Sequence, residues 1–160
     1  MDSVKESIFN VIGERIEGSN VLDLFSGTGS LGVESLSRNC SLVYFVDNSH
    51  ESINLIKYNT KFIKDAVKRY KIMRSDVLKF IKSCSGPKWD IIFLDPPYKI
   101  ESGIMKEIFD VLAYKRITKP DSLLIYEYFF KKDTSTETEK LKKIKESYFG
   151  DKKVIYLSPY

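Results

Sequence analysis

Asp95-Pro96-Pro97-Tyr98 directly follows the apolar run Trp89-Asp90-Ile91-Ile92-Phe93-Leu94. The run reads as a buried strand, and two successive prolines cannot extend it because proline has no backbone N–H. A carboxylate, a stiff backbone with free carbonyls and an aromatic ring are thus placed at a strand end. That set suits a nucleobase carrying an exocyclic amine. Such an amine is a poor nucleophile because its lone pair is delocalised into the ring. The Asp95 carboxylate and the Pro96 carbonyl can accept its two N–H bonds, draw the nitrogen toward a tetrahedral shape and stabilise the positive charge that develops there. Tyr98 can stack on a base taken out of its own stack. The plainer reading is a proline turn closed by an Asp cap.

A second segment gives that chemistry a donor. Gly27-x-Gly29-x-x-Gly32 follows an apolar strand, Val21 to Phe25, and opens a helix. Glycines there let a ligand approach the backbone, and the helix start offers unpaired N–H groups. Asp47 lies about 20 residues beyond Gly27, at the tip of the next strand, where it can accept two ribose hydroxyls. Asp23 lies four positions before Gly27. A carboxylate there would repel a pyrophosphate and attract a cation. S-adenosylmethionine (SAM), with an ammonium, a sulfonium and no phosphate, fits this acidic loop. Asp76 ends the third strand, either to hydrogen-bond the adenine amino group or simply to cap the helix from Val77.

The elements that must position these residues alternate. Helices are expected over Ser3 to Ile16 with Ser3 as cap, Ser30 to Arg38, Ser49 to about Phe62, Val77 to about Lys82 and Ile104 to Tyr114. Strands are expected at Val21–Phe25, Leu42–Val46, Lys71–Arg74, Ile91–Leu94 and Leu123–Glu127. Continuous apolar strands between helices imply an α/β, Rossmann-like architecture, with a mostly parallel sheet covered on both faces. Asp23, Asp47, Asp76 and Asp95 then end strands along one rim, where such sheets bind ligands. Lys131 to Glu146 is polar, with a loose loop at Thr134–Thr136 and a short helix at Lys140–Lys145. Tyr148–Asp151 turns into Val154–Leu157, an antiparallel hairpin at the sheet edge. We read residues 1–160 as one domain.

Bulk properties narrow the function classes. The 160 residues are 42 % hydrophobic and 30 % charged, with a formal net charge of +4, which permits a nucleic-acid partner without demanding one. No run reaches the roughly 18–20 apolar residues of a membrane span, and no signal segment opens the chain, so a cytoplasmic protein is expected. One histidine and two separated cysteines, Cys40 and Cys84, argue against a metal site and for free thiols. Nothing requires more than a monomer. The basic runs Lys115–Lys119, Lys131–Lys132 and Lys140–Lys145 could touch phosphate, but Asp133, Glu137, Glu139 and Glu146 interrupt them. A solvated face is the simpler reading.

The stretch Asp23-Leu24-Phe25-Ser26-Gly27-Thr28-Gly29-Ser30-Leu31-Gly32, then Glu34 to Arg38, resembles the SAM loop of RsmD-type 16S rRNA (guanine-N2)-methyltransferases. The opening Val4 to Asn10 and Phe93 to Tyr98 resemble the same family. The likeness runs to about Glu127, with a weaker echo over Gly150–Tyr156. It implies methyl transfer from SAM to guanine N2 of 16S rRNA, free or in the assembling 30S subunit, without a metal. By position it implies SAM binding by Asp23, Phe25, Ser26, Gly27, Gly29, Leu31, Asp47 and Asn48, adenine binding by Asp76 and Val77, and guanine binding by Asp95, Pro96, Pro97 and Tyr98. Family members usually carry a basic β-hairpin before the first helix, whereas this sequence starts at Met1. That hairpin is the part of the family pattern expected to grip RNA.

Two other readings compete. DNA adenine or cytosine amino-methyltransferases share the Asp-Pro-Pro-Tyr segment, but usually carry a separate target-recognition region. A SAM-binding ribosome-assembly module without catalysis would not need that segment intact. A protein glutamine methyltransferase would be expected to show Asn at position 95.

Overall fold

The computed structural model describes residues 2–63, 67–114 and 116–159. Its centre is a seven-stranded sheet in the order β3-β2-β1-β4-β5-β7-β6. The strands are β1 (Asn20–Leu24), β2 (Leu42–Asp47), β3 (Tyr70–Arg74), β4 (Trp89–Leu94), β5 (Thr118–Phe129), β6 (Lys142–Phe149) and β7 (Lys152–Ser158). The first five are parallel, while β7 runs antiparallel to both β5 and β6. The helices are α1 (Ser3–Ile12), α2 (Ser30–Ser37), α3 (His50–Thr60), α4 (Val77–Ser83) and α5 (Ser102–Ala113).

Alternating side chains of each strand feed two cores. On one face Leu22, Leu24, Ile92, Leu94, Leu124 and Tyr126 meet α4 and α5. On the other Val21, Val43, Phe45, Ile91, Phe93 and Ile125 meet α1, α2 and α3. Burial on both faces explains why the strands lack polar alternation. The order reverses between β1 and β4, and the gap this leaves at the strand carboxyl ends is where such sheets hold ligands.

The expected α/β architecture and the C-terminal antiparallel hairpin are present, with several boundary corrections. Helix α1 is capped by Asp2, whose Oδ1 accepts the Lys5 N–H at 2.8 Å, rather than by Ser3. It ends at Ile12 because Gly13 turns to φ +57°, and Gly13–Ile16 continues as a 3-10 turn. The short helix expected at Lys140–Lys145 does not exist. Lys142–Phe149 is the edge strand β6, paired with β7 from Lys142↔Ser158 to Phe149↔Lys152. The backbone pairing offered by β7 overrides the helix preference of Lys and Glu. Lysines along an exposed edge also discourage pairing with other chains. The loop before it is anchored by buried Glu137, which meets the Lys132 ammonium at 2.7 Å and accepts the Tyr126 hydroxyl at 3.1 Å.

Candidate active site

Asp95 leaves the end of β4 at the switch point and lines two adjoining cavities. The first, of about 540 Å³, is walled by Phe25, Gly27, Asp47, Asn48, Ser49, Asp76, Val77, Leu78, Asp95 and Pro97, with three isoleucines closing it. Its wall has three carboxylates and no lysine or arginine. It therefore favours a cationic ligand with an apolar body and rejects a pyrophosphate. Gly27 takes φ +59°, and a Cβ built there would meet nothing within 4 Å, so its backbone stays open to a ligand. Phe25 also adopts a positive φ, +57°. A bulky residue in the left-handed region costs about 1–2 kcal/mol, and here the ring forms part of the cavity wall.

The acidic residues divide into wall and support. Asp47 Oδ2 accepts the Gly27 N–H at 2.9 Å and its Oδ1 accepts the Ser49 N–H at 2.8 Å. Both oxygens keep a second lone pair toward the cavity. Asp76 does cap α4, accepting the Lys79 N–H at 3.0 Å, and it lines the cavity as well. Asp23 differs from the expectation of a rim residue. Its side chain is buried behind the loop, where Oδ2 accepts the Gly32 N–H at 3.1 Å. Burial raises its carboxyl well above the usual range. The Gly32 N–H opposes that shift, and the nearby charges of Asp95 and Asp47 add to it. Ser26, Gly29 and Leu31 likewise stand behind the wall: the Ser26 hydroxyl bonds the Asp23 carbonyl, Gly29 starts α2 against Phe45 and Ile56, and Leu31 packs on the core.

The second cavity, of about 590 Å³, is lined by Asp95, Pro96, Pro97 and Tyr98 together with Tyr126, Glu127, Tyr128, Phe129 and three lysines, Lys131, Lys132 and Lys152. Tyr98 is 79 % exposed and its ring stands edge-on to Phe129, with centroids 5.8 Å apart. Exposed aromatic faces beside lysines are the usual surface for a base and its phosphates. Asp95 and Glu127 line this cavity together, and Glu127 meets Lys152 Nζ at 3.1 Å. Asp95 as a residue stays exposed at the cavity mouth; partial desolvation of its carboxyl and the Glu127 charge raise it to about 7, with Lys152 opposing.

Glu127, Phe129 and Lys152 were missed as site residues. The available signal was the sequence Tyr126-Glu127-Tyr128-Phe129-Phe130, an acid among aromatics at a strand end beside Asp95. The other basic residues are mostly structural or solvated. Arg116 bonds the last carbonyls of α4, including that of Lys82 at 3.0 Å, and Lys119 pairs with Asp90 at 2.7 Å at the opposite end of the sheet. Lys115 lies outside the described residues. Lys140 and Lys143 pair with Asp110 and Glu146. Among the described residues no group of three His, Cys, Asp or Glu could hold a metal, and no helix is long and apolar enough to cross a membrane.

The model of the family described as Conserved hypothetical protein 95 matches residues 1–158 of the chain. The chain belongs to this family. Two relatives carry the resemblance seen in the sequence. "Ribosomal RNA small subunit methyltransferase D" of Haemophilus influenzae is 32 % identical over 127 residues, covering 79 % of this chain and 65 % of that protein. "Putative rRNA methyltransferase YlbH" of Bacillus subtilis is 34 % identical over 129 residues, covering 79 % and 68 %. The match thus spans about two thirds of the length of these relatives. Among solved structures, "putative methylase HI0767" from Haemophilus influenzae superposes with a TM-score of 0.82 at 29 % identity, covering 98 % of this chain and 96 % of that one. The RsmD-type family resemblance therefore holds, as does the methyltransferase fold.

Proposed function

We propose that this family member is a SAM-dependent rRNA methyltransferase whose target is the exocyclic N2 of a guanine in 16S rRNA. The observation that carries the reading is the position of Asp95-Pro96-Pro97-Tyr98 between an acidic cavity without cations and an aromatic cavity with three lysines. The first fits SAM: Asp47 for the ribose hydroxyls, Asp76 for the adenine amine, and Phe25, Val77 and Leu78 for the flat apolar ring. When bound there, SAM supplies a methyl group made electrophilic by its sulfonium.

The protein's own residues do the rest. Tyr98 and Phe129 hold the base. Ionised Asp95 and the Pro96 carbonyl accept the two amine N–H bonds, which localises the nitrogen lone pair. The same oxygens stabilise the growing positive charge, and Asp95 receives the departing proton. The names of the relatives support rRNA as the substrate.

The test is transfer of a labelled methyl group from SAM to 30S subunits, naked 16S rRNA and DNA, followed by nucleoside analysis. N2-methylguanosine from a ribosomal substrate is expected. Label appearing only in DNA adenine or cytosine would replace this reading with a DNA amino-methyltransferase.

A further inference from the structure

Asp95 faces a second carboxyl. Glu127, near the end of β5, lines the same cavity as Asp95, and its charge raises the Asp95 carboxyl. Lys152 holds Glu127 from the other side at 3.1 Å, and the Glu127 side chain is only 15 % exposed. This is a costly arrangement for a residue with no task at the cavity.

Resting on the guanine methyltransferase reading, we propose that Glu127 is a specificity-determining residue that accepts the N1–H of the target guanine. Guanine presents two donors side by side, N1–H and the N2 amine, and paired carboxyls offer acceptors for both. The two base donors fit between the neighbouring carboxyls, and Lys152, 3.1 Å from Glu127, offsets the negative charge gathered there. Adenine N1 and cytosine N3 sit beside their amines as bare acceptors and would face the Glu127 acceptor lone pair to lone pair. Glu127 thus reads the atom next to the one that reacts, while Asp95 serves the amine itself.

The test uses 2-aminopurine, which keeps the 2-amine but carries a bare N1. The methylated nucleotide is first located in 16S rRNA by nucleoside analysis. The wild-type protein and Glu127→Gln are then compared on RNA bearing guanine or 2-aminopurine at that position, reading kcat/KM for methyl transfer. The wild type should prefer guanine by about 5- to 150-fold, the range for one well-formed base contact. Glu127→Gln, whose amide can donate to a bare N1, should shrink or reverse that preference. Equal wild-type turnover of the two bases overturns the proposal without needing the variant. An unchanged preference in a folded Glu127→Gln, with bound SAM as the check of folding, also overturns it. Methylation of adenine or cytosine by the wild type removes the guanine assignment, and no product on any RNA refutes the underlying methyltransferase reading as well.

Discussion

Gly32 of α2 has no room for a side chain. A Cβ built there would lie 2.3 Å from Phe45 Cε1, 2.8 Å from Phe45 Cζ and 3.0 Å from Asp23 Oδ2. Ordinary contacts begin near 3.4 Å, so Gly32→Ala requires the Phe45 ring to retreat by about 1 Å, a strained repacking. The ring is fully buried in the core between β2 and the helices, so its retreat displaces other packed side chains. Overpacking of this kind costs about 1–3 kcal/mol, and the better helix propensity of Ala returns about 0.5–1 kcal/mol. A net loss of about 1–2 kcal/mol is expected, which for a chain of this size lowers Tm by about 2–8 °C. The new methyl also presses on the carboxylate that fixes the loop, so SAM affinity should fall too. Gly103→Ala in α5 is the control, because nothing lies within 4 Å of its Cβ position. It should keep or slightly raise Tm. Urea and thermal unfolding of both variants, with SAM titration by calorimetry, would check this. A Gly32→Ala protein as stable as Gly103→Ala would refute the close-packing argument.

Two further outcomes follow from the carboxylates. Asp95 must be ionised to accept the amine N–H, and partial desolvation with the Glu127 charge raises its carboxyl to about 7. Methyl transfer should therefore rise with pH through about 7 and level off above it, and Lys152→Met should move that rise to higher pH by removing the opposing cation. A profile flat between pH 6 and 8 in the wild type would contradict the assignment of Asp95 as acceptor. Asp47→Ala should weaken SAM by about 1–3 kcal/mol, the value of hydrogen bonds to a charged acceptor; an unchanged Kd in a folded variant would remove Asp47 from the ribose role.

The parallel strands, the glycine loop and Asp95-Pro96-Pro97-Tyr98 were legible because each is a local signal. Apolar runs mark strands buried on both faces, and the prolines end β4 whatever lies around them. Glu127 and Lys152 were not legible as a pair, since they meet only through the β5–β7 pairing of residues 25 positions apart. Lys140–Lys145 misled because its composition favours a helix, whereas its conformation is set by β7, which follows it in the chain. The role of Asp23 was blurred for a related reason. Its spacing from Gly27 is visible in the sequence, but its direction depends on where α2 places the Gly32 N–H.

The two cavities on either side of Asp95 differ in charge: the first is lined by carboxylates without a cation, whereas the second sets Lys131, Lys132 and Lys152 against Asp95, Glu127 and Asp151. A cation is drawn to the wall of Asp47 and Asp76, whereas a polyanion meets lysines that must first exchange partners, Lys132 leaving Glu137 and Lys152 leaving Glu127. The reach of both attractions is about 8 Å at physiological ionic strength and shrinks as salt is added. A polyanion that neutralises several lysines loses far more from added salt than a small cation does. Ionic strength should thus slow capture of RNA much more than capture of the methyl donor, shifting which of the two encounters limits turnover.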